Sequence, residues 1–136
     1  MKSKLHLDAQ DVKKILQNAE EEALRNAFAV TIAVVDDAGI LLGFHRMDGA
    51  PPISAHAAPA KAQTAALGKR ESKVYEDLIN DGRPSLLSFP VIEGMMQGGI
   101  PIIIDGECVG AVGVSGVQSH QDAQVAEYGI RSFLHL

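Results

Sequence analysis

Two cations in this sequence stand among apolar neighbours. Arg46 closes the run Leu41-Leu42-Gly43-Phe44-His45, and Lys61 lies inside the alanine-rich stretch from Ser54 to Leu67. A charge in such surroundings is costly unless an anion compensates it, so each points to a protein carboxylate or to an acid group on a ligand. The plainer alternatives are that Arg46 pairs with Asp36 across a hairpin and that Lys61 carries its ammonium to solvent on its long stem. A third feature is a cluster of small residues: Gly98 and Gly99, then Gly113, Ser115 and Gly116. Glycines crowded at one end of two β-rich runs mark a place where a ligand or another backbone comes close. Ser115 does not read as a nucleophile. The stretch Gly113-Val114-Ser115-Gly116-Val117 lacks the closing glycine of a G-x-S-x-G elbow, which leaves Ser115 as a donor at a pocket rim or as a turn residue.

The histidines, His6, His45, His56, His120 and His135, show neither i, i+4 pairing nor metal-ligand spacing, which argues against a structural zinc site. One cysteine, Cys108, excludes an intramolecular disulfide and any multi-thiolate metal centre. It lies in mid-run among apolar neighbours and reads as a packing residue. An axial ligand to haem iron is a smaller demand, because one or two donors suffice. His45 and His56 are the best placed, since they flank the loop Met47-Asp48-Gly49-Ala50-Pro51-Pro52 at the end of a hairpin. The plain reading of each is a solvated or core-satisfied imidazole.

These residues need elements to position them. Asp8 to Asn26 predicts a helix, with Val12, Ile15, Leu16, Ala19, Ala23 and Ala27 on one face and Asp8 as its cap. Its other face, with Lys13, Lys14, Glu20, Glu21 and Glu22, reads as solvated. Val30 to Asp36 and Ile40 to Arg46 predict a hairpin around Asp37-Ala38-Gly39. Ser54 to Leu67 predicts a second helix, capped by Ser54 and stopped by Gly68, with Pro59 expected to kink it or delay its start. Ser72 to Asn80 predicts a third helix, followed by a brief strand near Phe89 to Ile92. Ile100 to Ile104 and Glu107 to Val114 predict a second hairpin, central and covered on both faces, around an Asp105-Gly106 type I′ turn. Ser119 and Asp122 resemble a capping box opening a C-terminal helix with Val125, Ala126, Gly129 and Phe133 on one face. The order is α+β: a mainly antiparallel sheet of five strands between helical layers, in a single domain spanning 1–136.

Composition removes whole classes of function. Hydrophobic content of 46% with 21% charged residues suits a globular core, and aromatics at 4% leave few platforms on which bases could stack. A formal net charge of −5 without a basic cluster argues against nucleic-acid binding. No apolar run reaches membrane-spanning length and no secretory leader is evident, so the cytoplasm is the expected compartment.

The assembled motifs resemble one known family. Ala33-Val-Val-Asp36 with Gly39, Arg46-Met-Asp48-Gly49-Ala50 and Lys61-Ala-Gln-Thr64-Ala65 carry the resemblance. So do Gly98-Gly99-Ile-Pro101, Val109-Gly110-Ala-Val-Gly113-Val-Ser115-Gly116 and Gln121-Asp122-Ala-Gln-Val-Ala126. Together they are similar to the GlcG/HbpS-like, or haem-degrading, family, which includes the C-terminal domain of PduO-type corrinoid adenosyltransferases. The resemblance runs in collinear order over nearly the whole chain and is weakest from Gly68 to Phe89. It implies a profilin-like α-β-α domain that self-associates, with members that bind haem and others that accompany glycolate or B12-dependent diol and glycerol metabolism.

The leading expectation is therefore an accessory protein that binds haem or a related tetrapyrrole. Its propionates would meet Arg46 or Lys61, its iron His45 or His56, and its edge the rim formed by Gly98, Gly99, Ser115 and Gly116. A second expectation is an enzyme moving a proton on a small hydroxy- or oxo-acid. There Arg46 would clamp the carboxylate, the glycine and Ser115 amides would hold an oxyanion, and Lys61 or His56 would act as acid or base. A third is a structural partner without a ligand. A homo-oligomer, dimer or higher, is expected in every case, with the alanine face of the second helix, Ala57 to Leu67, as the contact.

Overall fold

The computed structural model describes residues 1–136. Helix α1 (Ala9–Arg25) leads into strands β1 (Thr31–Asp36) and β2 (Leu41–Arg46), then helices α2 (Ser54–Gly68) and α3 (Lys73–Asn80). A 3-10 turn over Pro84–Ser88 precedes β3 (Gly99–Ile104), β4 (Glu107–Ser115) and α4 (Ser119–Phe133). The four strands form one antiparallel sheet in the order β2-β1-β4-β3. This is the α+β fold expected from the sequence.

The sheet has four strands rather than five. The stretch 89–92 forms no strand, because Pro90 has no N–H to give and no amide from Val91 to Met96 donates to a backbone carbonyl. Only one arm of the glycine-rich hairpin is central. β4 is buried from Cys108 to Ser115, whereas β3 is an edge strand with Ile103 exposed. The turn between them is as expected, with positive φ at both Asp105 (51°) and Gly106 (78°).

Two layers cover the sheet. Val12, Ile15, Ala19 and Ala23 of α1 and Val125, Ala126 and Ile130 of α4 pack on Ile32, Val34, Ile102, Val112 and Val114. Fully buried Ile and Val side chains of this kind contribute about 1.5–3 kcal/mol each. On the opposite face, Ala62, Ala65 and Ala66 of α2 meet Val35 and Ala111. A bulge beside Ile102/Ile103 shifts the β3–β4 register, so Val109 joins the α1/α4 core while Cys108 lies against the Ala66 carbonyl, the reverse of simple alternation.

Helix ends depart from the sequence reading where a nominal capping residue has a better partner. Ser54 is buried; its hydroxyl donates to the Pro51 carbonyl and meets Thr31 Oγ1 at 2.8 Å, and the helix carries no side-chain cap. α2 neither starts late nor breaks at Pro59, and it runs through Gly68 to end on Lys69 in the left-handed region (φ 56°). Gly68 is needed for space instead, since a β-carbon there would overlap the Tyr75 hydroxyl. α4 is opened by Gln118, whose N–H donates to Gln121 Oε1 at 3.2 Å. Asp122 is drawn elsewhere.

Candidate functional site

Lys61 is held inside the protein. Its Nζ donates to Asp122 Oδ2 and to the Val114 carbonyl, both at 3.1 Å, and the two charged side chains are only 5% and 3% exposed. Asp122 Oδ1 accepts the Val117 N–H at 3.1 Å. Burial pushes the Asp122 carboxyl above its ordinary range, while Lys61 and the Val117 N–H pull it the other way. The pair ties α2 to the end of β4 and the start of α4. Of the readings open for Lys61 (a protein carboxylate, a ligand acid, or an ammonium carried to solvent), the protein carboxylate is the one realised. Asp122 lies 61 residues away, which is why no local spacing pointed to it.

The glycine cluster is also accounted for by protein. A β-carbon on Gly113 would lie 2.5 Å from Ala62 N and overlap the Ala58 carbonyl, and one on Gly99 would overlap the Lys61 carbonyl. Gly98 has φ 135°, and a β-carbon there would sit 2.9 Å from Lys61 Nζ. The approaching backbone is that of α2, which lies closer to the sheet than any other residue type would permit. The Gly99 amide is committed to Ser72 Oγ at 2.8 Å, and Ser115 is buried. None of the surface cavities is lined by Lys61, Gly98, Gly99, Ser115 or Gly116. The constellation for proton transfer is not assembled: Lys61 is sealed, and Arg46 and His56 are exposed on other parts of the surface.

Arg46 does not pair with Asp36. Its Nη2 and Nε donate to the Ala50 carbonyl at 2.9 and 3.2 Å, folding the following loop back on β2. Asp36 turns inward on its own hairpin, accepting the Ala38 and Ile40 amides at 2.9 Å. The two favoured histidines lie on opposite sides of the sheet. His45 stands opposite Ile32, a residue of the α1 face, while His56 belongs to α2, so they do not converge.

What the structure gathers around His45 is a groove between α1 and β2. The imidazole Nε2 meets Glu20 Oε2. On one side lies a cavity of about 310 Å³ lined by Lys13, Leu16, Gln17, Glu20, Phe44 and His45. On the other lies one of about 330 Å³ lined by Glu20, Leu24, His45, Arg46, Met47 and Asp48. His45 and Glu20 are common to both. Glu20 was part of an acidic run that reads as solvated, and only the close packing of α1 on β2 singles it out. Gly43 permits that packing, since a β-carbon there would lie 3.0 Å from Leu16 Cδ1 and at 2.5 Å from Val12 Cγ1.

Comparison with known proteins places this architecture. Residues 7–131 match the family model described as haem degrading protein HbpS-like. Protein GlcG of Escherichia coli (strain K12) is 46% identical over 115 residues, covering 85% of each chain. The crystal structure of a PduOC:haem complex superposes with a TM-score of 0.86 at 28% identity, over 94% of this chain and 95% of that one. A double mutant of HbpS from Streptomyces reticuli gives 0.88 at 30% identity, over 97% and 90%. No helix here is long and apolar enough to cross a membrane. Fold, motifs and relatives agree, and the chain belongs to the HbpS-like family.

Proposed function

We propose that this protein binds haem, or a closely related tetrapyrrole, in the groove between α1 and β2, as an accessory protein of metabolism in the cytoplasm. The observation that carries the reading is the setting of His45: a surface imidazole between two adjoining cavities, each lined by two apolar side chains, a cation and the shared Glu20. The residues fit the group. His45 is a nitrogen donor suited to haem iron, Leu16, Leu24, Phe44 and Met47 offer apolar surface, and Lys13 and Arg46 are placed for propionates. Bound haem would supply a redox-active iron. The chain would supply the donor, the apolar contact and the charge that orients it. The family's description and the haem complex of PduOC support the same ligand class.

Titration of the apo-protein with haem, followed in the Soret band, tests the proposal. Saturable binding that is lost in His45→Ala and retained in His56→Ala is expected. Unsaturable binding, or binding indifferent to His45→Ala, would overturn it.

A further inference from the structure

The charges that line the His45 groove are sorted along its length. Lys13 and Gln17 of α1 share a cavity with Phe44, whereas Leu24, further along the helix, shares one with Met47 and Asp48. The His45–Glu20 pair lies between these two ends. Lys13 precedes Glu20 by about two helical turns, roughly 10 Å along the axis of α1. The two ends are not equal as sites for an anion. Lys13 is exposed and enters no ion pair, and the Gln17 amide beside it can donate a hydrogen bond. At the other end Arg46 has already spent Nε and Nη2 on the Ala50 carbonyl. Asp48 adds a carboxylate there that enters no ion pair either. Glu20 is common to both ends and engaged by His45, so it favours neither. The Asp48 end also carries uncovered apolar surface, with Leu24 62% exposed.

We propose that Lys13 decides which tetrapyrrole the groove takes and which way round it lies. The carboxylate-bearing edge of the ring lies at the Lys13 and Gln17 end, and the uncharged edge covers Leu24 and Met47. This rests on the haem reading and deepens it: the ligand is a tetrapyrrole with free carboxylates gathered on one edge. A ring whose side chains are all amidated or esterified gives Lys13 nothing to pair with. The reverse orientation would bring two carboxylates to Asp48, where Arg46 is already committed, and would turn an apolar edge toward the Lys13 ammonium. Because Lys13 is at the surface, the pair supplies selectivity and orientation more than bulk affinity, and salt weakens it.

Soret titrations of the ligand-free chain with haem and with its dimethyl ester test the assignment. Wild type is expected to bind haem about two- to fivefold more tightly than the ester, the worth of one exposed ion pair, and added salt is expected to narrow the gap. Lys13→Ala is expected to bind both porphyrins without preference, and Lys13→Glu to invert the preference. Lys14→Ala removes the same charge from the neighbouring exposed position, which lines neither cavity, and is expected to keep it. Failure here is separable from failure of the haem reading. Unsaturable binding of both porphyrins, or binding indifferent to His45→Ala, would remove the site and this assignment with it. Binding that depends on His45 but shows no wild-type preference, or a preference that survives Lys13→Ala or is lost in Arg46→Ala instead, would overturn the assignment alone.

Discussion

Removing Lys61 isolates the energetic role of the buried pair. Lys61→Ala strips Asp122 of its ion-pair partner while leaving the carboxylate 3% exposed, with one remaining donor from the Val117 N–H. Breaking a buried pair from one side costs about 3–5 kcal/mol, because the surviving charge stays desolvated. For a chain of this size that lowers the midpoint of thermal unfolding by roughly 10 °C or more. The double variant Lys61→Met/Asp122→Leu removes both desolvation penalties and restores apolar packing, so it is expected within about 2 kcal/mol of wild type. The sign with pH follows from the raised Asp122 carboxyl. Between the unfolded carboxyl range near pH ~3.9 and its higher folded value, the folded state holds the extra proton, so stability falls as pH rises. Below that window the penalty is absent. In Lys61→Ala the decline extends to higher pH and its total grows, because no ammonium remains to favour the carboxylate. Urea unfolding at several pH values reads all of this. A Lys61→Ala loss below about 1 kcal/mol, or a double variant as damaged as the single, would refute the reasoning.

Three further outcomes are expected. Gly113→Ala forces α2 off the sheet, where a β-carbon would lie 2.5 Å from Ala62 N, and costs about 1–3 kcal/mol by urea unfolding, the usual range for overpacking. Ala62→Glu buries a carboxylate with no cation beside it at a position 0% exposed, so circular dichroism is expected to report an unfolded chain rather than a folded monomer. Truncating Glu20 to Ala frees the His45 imidazole from its carboxylate partner, and haem titration is expected to show tighter binding than wild type.

The architecture was legible where local chemistry decides it. Val12, Ile15, Ala19 and Ala23 mark the buried face of α1, and Asp105-Gly106 fixes its turn because few pairs accept positive φ twice in succession. The Lys61 environment was half legible: a cation among alanines implied an anion, yet Asp122 is brought to it only when α4 docks beside β4. The same local signal misassigned Asp122 and Ser54 as caps, because tertiary partners outbid the helix termini for their oxygens. The glycines told of a close approach without naming what approaches. The His45 groove was least legible, since Lys13, Glu20 and His45 come together only through the closeness of α1 to β2 that Gly43 allows.

The strand order β2-β1-β4-β3 also governs when this protein can become itself during synthesis. β1 and β2 are neighbours in sequence and can close their hairpin at once, within microseconds. The other neighbour of β1 is β4, which places Thr31 opposite Ser115. At a ribosomal pace of about 5–20 residues per second, the hairpin, complete at Arg46, waits roughly 3–14 s for β4 to emerge through Ser115. Throughout the wait, Ile32, Val34 and the β1 edge of the hairpin lack their final cover. The nascent chain is therefore most vulnerable to chaperone capture, or to pairing with a neighbouring nascent chain, in the interval before β4 leaves the exit tunnel.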